Sequence, residues 1–303
     1  MSNRHLKGFR QILQKAQQRS SSRMAVVCPH DDDTLRAVLN AANENIVDPI
    51  LVGDPQLIER ASGGLAGAEQ LTVIAERDPE RAAAAAVRLV HYGEAEVLMK
   101  GLIDTSQFLK PILDADEGLR TGRVLSHVAL FAISGYDRLI LMSDAAMNIA
   151  PDLEQKQQIV MNAVEVAHGI GVKNPLVAML CAKEKPTPKM PATMDAVALR
   201  ESNQRGDLTG CIVSGPLALD NAICPNAAAL KGVNDPVAGR ADVLIVPTIE
   251  AGNILYKAIV FMLRAENAGI IAGASAPIVL TSRADSQTAK LNSIATAVAL
   301  GAS

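Results

Sequence analysis

Residues 24–53 read MAVVCPHDDDTLRAVLNAANENIVDPILVG, in which two short apolar runs flank an amphipathic stretch that opens on three aspartates. Short uninterrupted apolar runs, bounded by turn-forming residues, predict strands that are buried on both faces. Aspartate is typical of a helix N-terminus, so Asp31, Asp32 and Asp33 predict the start of a helix. The same alternation recurs along the chain to about residue 300. The sequence therefore predicts an α/β protein with mainly parallel sheets, covered on both faces by helices in three layers.

The number of predicted strands bears on the domain organisation. About ten strands in 303 residues are many for one small sheet, and we expect two α/β lobes. The first is predicted to span residues 1–140 and the second residues 141–303, with the last helices, about residues 285–303, able to return to the first lobe. Ligands of open α/β sheets bind beyond the carboxyl ends of the strands. Polar clusters directly after predicted strands are therefore the candidates for function.

Composition excludes several classes of partner. The chain carries 29 basic and 32 acidic residues, and this balance argues against binding to nucleic acid or to an anionic membrane. Residues 1–23 lack the apolar segment of a signal peptide, and no uncharged run is long enough to span a bilayer. The four cysteines form no CxxC pair and no histidine stands at metal-ligand spacing, so no metal site is predicted. We expect a soluble cytoplasmic protein.

Six polar clusters follow predicted strands. They are residues 100–110 (KGLIDTSQFLK), 143–152 (SDAAMNIAPD), 183–193 (KEKPTPKMPAT), 214–223 (SGPLALDNAI), 247–257 (PTIEAGNILYK) and 281–286 (TSRADS). The third predicts a stiff basic loop, either solvated or a cation site for a phosphate tail, because its prolines exclude regular structure. A helix is predicted over residues 251–268.

Two clusters combine hydroxyls with cations. Thr105 and Ser106 stand at a predicted helix start, where they could cap the helix or bind an anion together with Lys100 and Lys110. In TSRADS, the hydroxyl of Ser282, the guanidinium of Arg283 and the carboxylate of Asp285 come within four residues. An arginine fork matches a phosphate or an oxyanion. The alternative is that Ser282 or Asp285 caps the last helix.

Four further polar residues are candidates for substrate binding. Asn148 lies in a loop of small apolar residues, and Asp220 lies in an apolar stretch where an unpaired acid would be costly to bury. Glu250 and Asn253 share a helix face with Lys257, and Gly252 beside them indicates a close backbone approach. A helix cap or a solvated helix face explains each of them equally well.

Absent motifs narrow the choice of enzyme class. The sequence contains no GxxxxGK[ST], no GxGxxG at a strand-to-helix turn and no GxSxG. A P-loop NTPase, a Rossmann dehydrogenase and an α/β-hydrolase therefore lose support.

Seven segments together resemble the phosphate acetyl/butyryltransferase family, and the pattern is closer to its butyryltransferase branch. They are KGLIDTSQFL, RVLSHVALF, SDAAMNIAPDLEQK, PKMPATMDAVAL, GPLALDNAI, DPVAGRADVLIVPTIEAGNILYKA and PIVLTSRADSQTAKLNSIA. The resemblance runs from about Met24 to Leu300. It implies a fold like that of isocitrate and isopropylmalate dehydrogenases, an active site in the cleft between two lobes, and a homodimer or larger assembly.

The resemblance also implies a reaction. The thiol of coenzyme A, a substrate and not a bound cofactor, attacks the carbonyl of an acyl phosphate in a ternary complex, without a metal. By this likeness Ser282 and Arg283 belong to the reaction centre, and Thr105 and Ser106 to a phosphate- or substrate-binding segment. Lys110 replaces an arginine that is common in acetyltransferase relatives.

The sequence departs from the family pattern at the catalytic base. Acetyltransferase relatives carry a carboxylate seven residues after the serine, where this chain has Ala289. Asp285 is our preferred substitute, with Asp220 and Glu250 in reserve. Ala289, with Ser214 and Thr248 at positions where aspartate is common, leaves a non-catalytic CoA-binding sensor as the alternative. A metal-dependent dehydrogenase of the same fold has less support, because the acids are scattered.

Overall fold

The structure, a computed structural model, describes residues 6–19, 21–282 and 284–301. Within these residues strands and helices alternate along the chain, as the sequence predicts. The strands are β1 (Ser22–Val27), β2 (Val47–Gly53), β3 (Thr72–Ala75), β4 (Val97–Lys100), β5 (Ser126–Ala132), β6 (Ile140–Ser143), β7 (Leu176–Leu180), β8 (Ile212–Leu217), β9 (Val243–Ile245), β10 (Glu266–Ala272) and β11 (Ile278–Val279). The helices are α1 (Phe9–Gln17), α2 (Asp32–Asn43), α3 (Pro55–Ser62), α4 (Pro79–His91), α5 (Thr105–Ile112), α6 (Leu153–Ile170), α7 (Pro191–Arg205), α8 (Leu219–Ile223), α9 (Pro225–Leu230), α10 (Ile249–Lys257) and α11 (Gln287–Leu300).

The chain divides into two compact units. The first unit contains Phe9–Arg123 and Asn267–Ser303, and the second contains Met1–Gly8 and Val124–Glu266. In the first unit the strand order is β3-β2-β1-β4-β11-β10, and every neighbouring pair is parallel except β10 with β11. In the second unit the order is β5-β6-β9-β7-β8, and only β5 with β6 is antiparallel. The prediction of mainly parallel sheets is confirmed.

The boundary between the units differs from the one that we placed at residue 140. The second unit begins at Val124 because β5 pairs antiparallel with β6 and so belongs to the same sheet. The sequence analysis did not predict β5, since its run opens on the polar Ser126 and His127. Both side chains are buried, and Asn162 of α6 donates to Ser126 Oγ. The last helix, α11, belongs to the first unit and packs against α1 and α2.

Aspartates start several of the helices. The side chain of Asp31 accepts a hydrogen bond from the Thr34 N–H, and α2 begins at Asp32, so the predicted helix start is confirmed. The N-cap residue Asp152 and Gln155 form a reciprocal capping box at the start of α6. Such caps satisfy backbone N–H groups that have no partner within the helix.

The helix predicted over residues 251–268 is wrong at its C-terminal end. Helix α10 ends at Lys257, a π-helical turn covers Ala258–Met262, and β10 starts at Glu266. Arg264 adopts a left-handed backbone conformation (φ 51°), which ends the helical path. The apolar run 258–263 has no glycine or proline to mark this break.

The basic loop predicted over residues 183–193 is wrong at its end, where α7 begins at Pro191. Proline is favoured at the first position of a helix because its missing N–H would have no helical partner there. The buried hydroxyl of Thr193 donates to the carbonyl oxygens of Met190 and Thr187 and orders the chain before the helix.

Aliphatic side chains fill the core of each unit. Val26, Leu51 and Leu98 are buried on neighbouring strands of the first unit. Leu141 and Leu244 are buried on neighbouring strands of the second unit. Among the helices that the structure describes, none combines the length and the apolar character needed to cross a membrane.

Candidate active site

Three strands of the first unit end at one edge of its sheet. β4 pairs parallel with both β1 and β11, so the carboxyl ends of the three strands lie side by side. A cavity of about 140 Å³ opens at this edge. It is lined by Asp31, Asp33, Thr34, Lys100, Gly101, Leu102, Thr281, Ser282 and Lys290. The structure thus brings together Lys100 and Ser282, which the sequence analysis singled out in segments far apart in the chain.

Gly101 allows the chain to leave β4 beside the end of β1. Its N–H donates to the carbonyl oxygen of Val27, and the next N–H, of Leu102, donates to that of Cys28. A Cβ at position 101 would collide with both of these carbonyl oxygens. Glycine is therefore required here, and Lys100, which is 5% exposed, lies beside Val27 at the end of β1.

The β11 turn, which follows strand β11 and contains Ser282, Ala284 and Asp285, is held by its own hydrogen bonds. Asp285 Oδ2 accepts from the Ser282 N–H at 2.7 Å, and the Asp285 N–H donates to the Ser282 carbonyl at 3.1 Å. Asp285 is 8% exposed, whereas Ser282 is exposed. Ser282 Oγ accepts from the Ala284 N–H, which leaves the hydroxyl proton available for donation. Arg283, predicted beside them, lies outside the described residues.

Ser286 caps α11. Its Oγ accepts from the Ala289 N–H, and α11 begins at Gln287. The alternative interpretation, that Ser282 or Asp285 caps the last helix, is therefore wrong. Both residues lie in the turn before the cap.

Lys290 is a residue that the sequence analysis missed. It is 3% exposed, lines the cavity, and its Nζ donates to the carbonyl oxygen of Asp285 at 2.7 Å. The signal was present, since Lys290 is the one charged residue in the run 287–300. An isolated lysine in such a run must either reach solvent or find a buried partner.

The anion site predicted at the start of α5 is only partly assembled. Thr105 and Ser106 lie exposed in the first helical turn, and the N-cap residue is Asp104, whose side chain makes no capping hydrogen bond. Lys110 lies on the last turn, where its ammonium pairs with Glu80 at 2.9 Å and is 72% exposed. Lys110 therefore sits at the opposite end of α5 from the two hydroxyls.

In the second unit, Asp144 and Asn148 hold the loop after β6. Asp144 is 3% exposed, and its carboxylate accepts hydrogen bonds from the N–H groups of His127, Ala146 and Met147. Asn148 Nδ2 donates to Asp144 Oδ2 at 2.6 Å and to the carbonyl oxygen of Leu125 at 2.8 Å. The amide donors of Asn148 are thus used within the protein.

Helix α10 starts against the same loop. A Cβ at Gly252 would collide with the Asp144 carbonyl oxygen, so the predicted close backbone approach is confirmed. Asn253 donates to the carbonyl oxygen of Ala145 at 3.2 Å, and Glu250 and Asn253 are both exposed. Glu250 lies in the first turn of α10, where its side chain is exposed to solvent.

Asp220 lies in the first turn of α8 and pairs with Lys231. Lys231 Nζ is 2.8 Å from Asp220 Oδ2 and 3.4 Å from Glu184 Oε1. The hydrogen bond from Lys231 lowers the pKa of Asp220 below its ordinary value. A carboxylate that is stabilised in this way is a weaker base, so Asp220 is a poor candidate for proton abstraction.

Three of the thiols, those of Cys28, Cys181 and Cys211, stay protonated near neutral pH. Burial raises the pKa of Cys28, Cys181 and Cys211 to about 11. Cys28 directly follows β1, at the edge where the cavity lies. Because only a thiolate is a strong nucleophile, this cysteine behaves as a small buried apolar residue, as expected from the sequence.

The predicted residues fall into two groups. Those in the first unit are Lys100, Thr105, Ser106, Lys110, Ser282 and Asp285, and those in the second unit are Asn148, Asp220, Glu250 and Asn253. In the second unit β6, β9, β7 and β8 are parallel, so the segments that carry the second group also follow strands at one edge of a sheet.

Comparisons with known proteins agree with the resemblance. A model described as phosphate acetyl/butaryl transferase matches residues 70–298. The phosphate butyryltransferase of Clostridium acetobutylicum is 44% identical over 293 residues, which are 96% of this chain and 97% of that protein. A branched-chain phosphotransacylase of Enterococcus faecalis superposes with a TM-score of 0.81 at 34% identity, over 92% of this chain and 98% of that one.

A more distant neighbour shares the fold alone. The 4-hydroxythreonine-4-phosphate dehydrogenase of Klebsiella pneumoniae superposes with a TM-score of 0.54 at 12% identity, over 92% of this chain and 100% of that one. The predicted relation to a dehydrogenase fold is therefore present, without bearing on activity. The family model and the relatives cover most of the sequence, and the chain belongs to the phosphate acetyl/butyryl transferase family of acyltransferases.

Proposed function

We propose that the chain transfers a short-chain acyl group, of the butyryl or acetyl class, between coenzyme A and inorganic phosphate. The reaction is acyl-CoA + phosphate = acyl phosphate + CoA. The observation that carries the proposal is the similarity to a phosphate butyryltransferase over 96% of the chain. The edge of the first unit adds a serine hydroxyl and two buried lysines, Lys100 and Lys290, at one cavity.

The first chemical requirement is a thiolate. The thiol of CoA must lose a proton before it attacks the acyl carbonyl, and a nearby carboxylate is the natural base. We assign this role to Asp285, which lies in the same turn as Ser282. Asp220 pairs with Lys231, which leaves Glu250 as the reserve.

The second requirement is stabilisation of the tetrahedral oxyanion. We assign it to Arg283 together with Ser282, as the family resemblance implies. The N–H of Ser282 already donates to Asp285, so the hydroxyl is the donor that Ser282 can offer to the reacting carbonyl. Removing one donor of this kind typically lowers the rate by about 10²–10³.

The third requirement is a cation for phosphate. Lys100, which is buried and lines the cavity, is our first choice for this role, with Thr105 and Ser106 as further phosphate- or CoA-binding groups. Lys110 can contribute only if it leaves Glu80. No covalent enzyme intermediate is needed in this scheme, and coenzyme A takes part as a substrate.

Assembly and location are part of the proposal. We propose a homodimer or larger homo-oligomer in the cytoplasm, with the active site in the cleft between the lobes, as the resemblance implies. Light scattering of the purified protein tests the oligomeric state, and a monomer at micromolar concentration would contradict it.

A thiol-release assay tests the reaction. The purified chain is mixed with butyryl-CoA and phosphate, and free CoA is followed with a chromogenic thiol reagent, next to a control without phosphate. Sustained turnover that requires phosphate supports the proposal and excludes a CoA-binding sensor. Absence of turnover with acetyl-, propionyl-, butyryl- and branched acyl-CoA, from a protein that still binds CoA, would favour the sensor.

A further inference from the structure

We propose that Lys290 is a positioning residue, which holds the β11 turn so that Ser282 and Asp285 keep their orientation. The inference rests on the proposed function, since it concerns the residues that would carry out that reaction. It assigns a role to a side chain that does not itself touch the substrate.

Burying the charge of Lys290 costs free energy unless the ammonium group finds a partner. Lys290 is 3% exposed, and a buried ammonium group is tolerated only where hydrogen bonds replace its lost hydration. The bond from Lys290 Nζ to the Asp285 carbonyl oxygen, 2.7 Å long, is such a replacement. A charged donor makes a stronger hydrogen bond than a neutral one, so it fixes the Asp285 backbone firmly.

A chain of hydrogen bonds connects Lys290 to Ser282. Lys290 holds the main chain of Asp285, and the Asp285 carboxylate holds the N–H of Ser282 at 2.7 Å. The Asp285 N–H and the Ser282 carbonyl close the turn. A shift of the Asp285 backbone would therefore move both side chains that we place at the reaction centre.

The helix that carries Lys290 is itself firmly held in the first unit. Helix α11 is buried over most of its length and packs between α1 and α2. Ser293, one turn beyond Lys290, donates to the Ala289 carbonyl and accepts from the N–H of Gly269 on β10. Helix α11 is thus hydrogen-bonded to β10 through Ser293, and Lys290 connects the same helix to the β11 turn.

Direct binding of phosphate by Lys290 is the competing role. Lys290 Nζ already donates to the Asp285 carbonyl oxygen at 2.7 Å, and Lys100, which lines the same cavity, is our choice for the phosphate cation. Holding the turn accounts for the burial of Lys290, and the KM for phosphate separates the two roles.

The test replaces Lys290 with methionine, which has similar length and no donor, and with arginine, which keeps a charged donor. A misplacement of about 1 Å near the reacting atoms can cost about 10²-fold in rate. We expect Lys290→Met to lower kcat about 10- to 100-fold, while the KM values for butyryl-CoA and phosphate stay within about threefold. Lys290→Arg should recover part of kcat. Circular dichroism and thermal unfolding check that each variant is folded.

A second measurement separates positioning from a general loss of packing. If Lys290 acts through the turn, Lys290→Met should lower kcat by less than about threefold further in an Asp285→Ala background, because the two changes break the same chain of contacts. Full additivity overturns the inference. So does a kcat of Lys290→Met within threefold of the wild type, or a KM for phosphate that rises more than tenfold.

Lys290→Gln serves if the methionine variant does not fold. It keeps a neutral donor, and we expect a lower kcat with unchanged KM values, whereas a raised KM for phosphate overturns the inference. Loss of turnover in the wild-type chain would count against the proposed function itself. The comparison of variants with an active wild type tests Lys290 alone.

Discussion

The β11 turn and the loop after β6 contain similar residues, but these residues play different roles in the two segments. Each follows the carboxyl end of a strand, and each contains an aspartate that accepts a backbone N–H. In the β6 loop, both oxygens of Asp144 accept hydrogen bonds, and Asn148 adds its amide to the same network. In the β11 turn, Asp285 holds the Ser282 N–H, and Ser282 is left exposed.

The two segments show that a polar cluster at a strand end can either stabilise the fold or take part in the reaction. A loop whose polar groups satisfy one another is a rigid support, and its side chains have little hydrogen-bonding capacity left for a substrate. A turn that is held by one side chain and presents another can take part in chemistry. Mutations in the β11 turn should therefore change kcat, and mutations in the β6 loop should change stability.

The largest effect is expected at Arg283. Removing the proposed oxyanion donor by Arg283→Ala should lower kcat at least about 100-fold, because such a donor stabilises charge that develops only in the transition state. Steady-state kinetics with butyryl-CoA and phosphate measure the change, and thermal unfolding serves as the control for folding. A kcat within threefold of the wild type would remove Arg283 from the mechanism.

The next effect separates two roles of Asp285. A general base contributes about 10²–10⁴ in rate, so both Asp285→Ala and Asp285→Asn should lower kcat at least about 100-fold if Asp285 abstracts the proton. Asparagine retains an oxygen that can accept the Ser282 N–H. If Asp285→Asn stays within tenfold of the wild type while Asp285→Ala does not, Asp285 holds the turn and the base lies elsewhere.

In the β6 loop, Asn148→Ala should act on stability. It removes donors to the Leu125 carbonyl and to the Asp144 carboxylate, which costs about 1–3 kcal/mol when a buried acceptor is left unsatisfied. Chemical denaturation measures the free energy of unfolding. The matched control is Asn253→Ala, which removes an exposed side chain with one hydrogen bond, to the Ala145 carbonyl oxygen, and should lower the stability less. Unchanged stability with a KM raised more than tenfold would show that Asn148 binds substrate, as the sequence analysis expected.

The smallest effect concerns Asp220, whose pKa is lowered first by its hydrogen bond with Lys231. A lowered pKa in the folded state stabilises the protein above the ordinary pKa of the carboxyl group, and this contribution is lost as pH falls through the folded-state value. Lys231→Met should therefore raise the pKa of Asp220, which carboxyl NMR titration can follow, and should leave kcat within about twofold. The control is Lys185→Met. A large loss of kcat would return Asp220 to the list of catalytic groups.

Local sequence patterns predicted many of the strands, the start of α2 and part of the candidate site. Parallel strands are recognised as uninterrupted apolar runs, because they are buried on both faces. Asp31 indicates the start of α2, because helix capping depends on residues only a few positions apart. The position of Ser282 and Lys100 after strands followed from the same reasoning, since parallel strands bring their carboxyl ends to one edge. The end of α10 and the strand β5 could not be predicted in this way, because partners from elsewhere in the fold decide them.

The sequence by itself determined the alternation of strands and helices, the family, and the candidates Ser282, Arg283 and Lys100. Only the tertiary structure decided which polar groups serve the fold and which face the cavity. It paired Asn148 with Asp144, Lys110 with Glu80 and Asp220 with Lys231, and it placed Lys290 against the carbonyl oxygen of Asp285 in the β11 turn. The physical reason is that a hydrogen bond or an ion pair depends on distances of about 3 Å between groups far apart in the chain, which no local pattern encodes.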